Sequence, residues 1–139
     1  MSPLLRNILA VLAGLVIGGI VNSGIITLGP NLISAPDGVD PNDIESIKAN
    51  IDLYGWKHFI IPLLAHALGT LAGAFVAVKL GISKQKTLAY IIAGLFLIGG
   101  LLMAIMIPEF WMFSIIDLLI AYFPMGILGW MLAGKGELK

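Results

Sequence analysis

The chain has 139 residues, of which 59% are hydrophobic and 12% charged, with a formal net charge of +0 and 17 glycines; its mean hydropathy is +1.02. This is about half the charge of an ordinary soluble domain and far more apolar surface than a small core can bury, so the composition reads as an integral membrane protein. No run of Lys or Arg interleaves with aromatics, which excludes a nucleic-acid partner, and the absence of Cys excludes disulfides, thiolate metal sites and cysteine redox pairs.

In chain order, the first apolar segment covers roughly residues 4–28. Arg6 ahead of an apolar stretch resembles the start of a signal peptide, but "VNSGIITLGP" carries no convincing small-x-small cleavage site. It is read as an uncleaved first span. Within it Ala10, Gly14, Gly18 and Asn22 recur in steps of four along one helix face.

The first connection, residues 29–57, is the one stretch between spans with room for structure of its own. Asp40 followed by Pro41 looks like an N-cap with proline at the first helical position, which predicts a short helix over about residues 41–53. Ile44, Ile47, Ile51 and Tyr54 then recur at helical spacing while Glu45, Lys48, Asn50 and Asp52 take other faces, as in a helix lying on a bilayer surface or on the bundle. Tyr54 and Trp56 suit headgroup depth. The acidic set Asp37, Asp40, Asp43 and Glu45 lacks the spacing of a calcium-binding loop and reads as a solvated helix start.

Three more apolar segments follow at roughly residues 58–78, 87–107 and 110–132, each near the ~20 residues that cross ~30 Å of hydrocarbon. The second repeats the small-residue strip as Ala65, Gly69, Gly73 and Ala77. The third is less regular, with Gly99 and Gly100 as its close-approach positions, and the fourth contains Pro124, which predicts a bend. Small residues let helix backbones approach where lipid provides no hydrophobic drive, so both strips predict packing within one bundle or between subunits. Arg6, Lys79, Lys84, Lys86, Lys135 and Lys139 fall at one end and only Lys48 and Lys57 at the other. By the positive-inside rule both termini are cytoplasmic. The fold class is thus an all-α integral membrane protein of four antiparallel transmembrane helices with a short amphipathic interfacial helix in the external loop. A bacterial inner membrane is its simplest home.

Ionisable side chains inside spans are rare because each costs ~2.5–3.5 kcal/mol at mid-membrane. Counting 1.5 Å per residue from the outer span ends puts Asn22, His66 and Asp117 all about 10 Å deep, with Gly99 and Gly100 leaving space at the same level. Thr70 lies one turn from His66 and Ser114 one turn from Asp117. Two readings stay open. The layer is interhelical glue, at ~0.6 kcal/mol per hydrogen bond, or it is a ligand or proton site, with the histidine titrating near neutral pH. His58, His66 and Asp117 are weak metal candidates, being too few for a tetrahedral set, and His58 and His66 are too far apart along one helix to bind a haem together. No cofactor is indicated. Ser, His and Asp do not follow a known triad order, and no zinc-protease or phosphate-loop motif is present. The cysteine pairs of thiol-oxidising quinone reductases and the arginine and glutamate pattern of glutathione-linked membrane transferases are also missing. The expectation is a non-catalytic accessory or scaffold module, contacting membrane lipid and either a partner membrane subunit or further copies of itself. The alternative is a small transporter or proton-handling protein that uses His66 and Asp117.

Overall fold

The computed structural model describes residues 1–134, and these are helical with no strand. Lys135 and Lys139, which enter the charge asymmetry, lie outside the described residues. Four helical stretches are long and apolar enough to cross a membrane: Pro3–Asn31, Trp56–Leu80, Gln85–Met106 and Trp111–Leu132.

Helix α1, Pro3–Leu28, starts at Ser2, whose hydroxyl accepts from the Leu5 N–H at 3.2 Å, with Pro3 in the first turn where its missing N–H costs nothing. It runs on into a single tighter turn, Gly29–Asn31. Helix α3, Ile60–Leu80, is preceded by a similar turn at Trp56–Phe59, and α4 covers Gln85–Met106. Only a few residues separate α3 from α4, with Lys84 left-handed at φ 51°. The N-terminal turn of α1 binds this connection. Arg6 donates to the Leu80 carbonyl at 3.1 Å, while the Asn7 side chain donates to Ser83 and accepts from the Ile82 N–H. Orphan backbone groups at the end of α3 and in the connection after it are satisfied in this way.

The small-residue strips meet one another. A Cβ added at Gly14 would lie 2.5 Å from the Gly73 carbonyl, and one at Gly18 would lie 2.6 Å from the Gly69 carbonyl, so α1 and α3 touch backbone to backbone. Asn22 continues the contact, its Cβ lying against Gly69. Such proximity maximises dispersion contact, the main attraction available between helices in lipid. Ala74, Ala77, Val78, Leu88, Ala89 and Ile92 then close the core at the end of the bundle that holds the termini. Gly99 differs from the others, because a Cβ there would meet nothing within 4 Å.

Two local expectations change. The loop helix α2 spans only Ile44–Ala49, capped by Asp43, which accepts from the Glu45 N–H at 3.1 Å. Asp40 is not the cap because its carboxylate closes a turn on the Asn42 N–H at 2.9 Å, holding Pro41 outside the helix. Asn50 ends α2 by bonding the Ser46 carbonyl with its own side chain, and Ile51–Leu53 follow as a separate tight turn. The second change is in the fourth span, where the helix is interrupted ahead of Pro124: α5 is Trp111–Ile120 and α6 is Phe123–Leu132, with Tyr122 at φ −114°, ψ −82° between them. Pro124 has no N–H to continue the ladder, and its ring clashes with the carbonyl four residues back, at Ile120. It therefore sits in the first turn of a new helix.

Candidate functional site

The break in the fourth span forms the site. It turns Tyr122 inward, where its ring is 1% exposed and its hydroxyl donates to Asp117 Oδ2 at 2.8 Å. Asp117, 3% exposed, also receives His66, whose Nδ1 lies 2.9 Å from each carboxylate oxygen. An ionised Asp117 only accepts, so its contact with His66 calls for a ring hydrogen on Nδ1. Nε2 has no hydrogen-bond partner among the described residues. The His66 ring stacks on Tyr122 at 5.9 Å between centroids, and the Thr70 hydroxyl donates back to the His66 carbonyl at 2.8 Å. The cluster is a carboxylate held by two donors, one of which keeps a second nitrogen available.

Tyr122 was not legible as a member. It lies five residues after Asp117, a spacing that a continuous helix places off the Asp117 face. Gly100 carried a partial signal, since the space it leaves beside its backbone is filled by the Tyr122 hydroxyl.

Above the cluster, at the end of the bundle carrying the Gly29–Phe59 connection, is a cavity of about 310 Å³. Its floor includes His66, Asp117, Ser114 and Gly100, and its walls come from α3, α4 and α5. Ile33, Ile44, Ile47 and Tyr54 of the connection roof it. Of the isoleucines that the sequence assigns to one helical face, Ile44 and Ile47 line this cavity and Ile51 does not. Phe59, Phe110 and Phe113 form one side, with Phe59 edge-on to Phe110 at 4.3 Å and stacked on Phe113 at 4.9 Å. Burial raises the Tyr54 hydroxyl above its ordinary range, because the phenolate is poorly solvated there.

The remaining candidates sit apart from the cluster. Asn22 makes no hydrogen bond to it, and its Oδ1 is buried without a partner; it lines a second cavity that also touches His66. Ser114 shares the first cavity with His66 but is not hydrogen-bonded to its ring, so the bond that activates a nucleophilic serine is not formed. His58 binds within its own turn, its Nδ1 2.9 Å from the Gly55 N–H. Among the described residues no group of three or more His, Asp or Glu side chains could hold a metal ion.

The fold and site define a class: a small all-helical membrane protein with a buried His, Asp and Tyr cluster beneath an apolar cavity. Compared with known proteins, the chain matches no family model, no curated protein and no solved structure.

Proposed function

We propose that this chain is a non-catalytic membrane module that holds a small, largely apolar molecule in the 310 Å³ cavity, with the polar end of that molecule on His66 Nε2. The observation that carries this reading is the coincidence of a half-open, mostly apolar pocket with an ionisable pair at its floor, the combination typical of small-molecule sites. Asp117 orients the ring by fixing Nδ1 as the donor, as a carboxylate orients a metal-bound or catalytic histidine. Nε2 then accepts from a hydroxyl, or donates to a carbonyl once the ring is protonated.

The transport alternative needs a path through the other half of the bundle. That half is filled by Ala74, Ala77, Val78, Leu88, Ala89 and Ile92, all 4% exposed or less, with no buried polar side chain of their own. A binding site closed at its inner end fits this packing better than a conduit. In the arrangement we favour, the four spans are antiparallel, both termini are cytoplasmic, and the roofed cavity faces the outer side of a bacterial inner membrane. Membrane lipid surrounds the spans, and a partner subunit or further copies of the chain dock on them.

Native mass spectrometry of the protein, gently extracted from its own membranes, tests the proposal. A stoichiometric small molecule that is retained by the wild type and lost in both His66→Gln and Asp117→Asn is the expected result. Wild-type protein carrying no such molecule, or carrying it unchanged in both variants, would refute the reading.

A further inference from the structure

A second cavity of about 340 Å³ lies on the other side of His66. Leu15 and Asn22 of α1 form one edge, and Leu95, Gly99 and Met103 of α4 form the other, with Phe96 and Tyr122 behind. Leu95 and Met103 are 42% and 39% exposed, and they share one face of α4 with Gly99 at steps of four. In a span, that face meets lipid. The opening between α1 and α4 therefore faces acyl chains rather than water.

Two features of this cavity are unexplained by packing. Asn22 Oδ1 is buried without any hydrogen-bond partner, a condition that costs ~1–3 kcal/mol if left unmet. Gly99 is open where the neighbouring Gly100 is filled by Tyr122. An amide oxygen only accepts, so what completes the site must bring a donor. The volume is also about tenfold that of one water, ~30 Å³, and most of the lining is apolar.

We infer that this cavity is a lateral port for a single-chain amphiphile with a hydroxyl head, drawn from the bilayer, the Asn22 amide turning out of its buried position so that Oδ1 accepts from the head O–H, and the chain leaving between Leu15 and Leu95. The head lies against the same histidine that floors the first cavity. The port is a site additional to the first cavity, and it stands or falls separately.

The test uses the full chain in phospholipid vesicles with a photoreactive long-chain alcohol as probe. Labelling should fall on the α1 and α4 edges, and hexadecanol should compete about tenfold better than its methyl ether, which keeps the chain and loses the donor; tenfold is the effect of one hydrogen bond. Asn22→Leu should erase that preference. Gly99→Leu, which fills the port without a clash at its Cβ, should abolish labelling, whereas Gly94→Leu, equally open on the same helix, should leave it intact. Equal competition by the ether would mean ordinary boundary lipid and overturn the inference. Absence of labelling in folded wild type would overturn it too, leaving the Asn22 oxygen to water. Neither result bears on a molecule found in the first cavity by native mass spectrometry.

Discussion

The two ends of this bundle are built on opposite principles. At the end holding the termini, Gly14 lies against Gly73, and Ala74, Ala77, Ala89 and Ile92 leave almost no exposed surface. At the loop end the same helices part around cavities, and the polar side chains Asn22, His66 and Asp117 are found there. Close packing and open volume are alternatives for one pair of helices at one level. The protein uses the first to hold α1 on α3 and so keeps the second available. Close packing and open volume are therefore separated along the length of the bundle.

The largest expected effect attacks the packed end. Gly14→Leu drives a side chain into the Gly73 carbonyl, and overpacking of this kind costs ~1–3 kcal/mol or more. Thermal unfolding in detergent should show a drop of several degrees, while Gly19→Leu on the same helix, whose Cβ meets nothing within 4 Å, should unfold like wild type. Equal effects of the two would erase the distinction between the ends.

Next comes Asp117→Leu, which strands the Tyr122 hydroxyl and the His66 Nδ1. A loss of ~1–3 kcal/mol is expected from the orphaned donors, measured in the same unfolding assay. Tyr122→Phe should cost less, ~0.6 kcal/mol, as one hydrogen bond between membrane-embedded groups. If Tyr122→Phe proves as damaging as Asp117→Leu, the tyrosine and not the carboxylate organises the site.

The smallest effect concerns the roof. The Tyr54 hydroxyl has its pKa raised by burial in the folded state, so the folded protein holds that proton more tightly than the unfolded chain. Its stabilising contribution is complete below the ordinary tyrosine value, ~10, and is lost as pH climbs through the raised value. A pH series of melting temperatures should fall off on the alkaline side less steeply in Tyr54→Phe than in wild type.

Much of the packed end was readable because small residues at steps of four are a direct record of backbone proximity: Gly14, Gly18, Gly69 and Gly73 name their own contact. The depth count likewise brought His66 and Asp117 to one level, since rise per residue is nearly constant in a helix. Tyr122 escaped because that constancy fails at the break before Pro124, and a residue beyond a break follows no face pattern. The loop helix was misplaced for a related reason. The Asp40–Pro41 pair reads as a cap, and only the turn that Asp40 closes on Asn42 leaves the capping to Asp43.

The divided fourth span also sets an order of assembly. His66 lies 51 positions ahead of Asp117 in the chain, so during synthesis α3 is made before the carboxylate that its histidine requires. Until α5 arrives, α1, α3 and α4 enclose an imidazole with no counterpart. Arrival of the last span therefore brings Asp117 and Tyr122 to the histidine together. A chain stalled before that point leaves the His66 ring without its carboxylate.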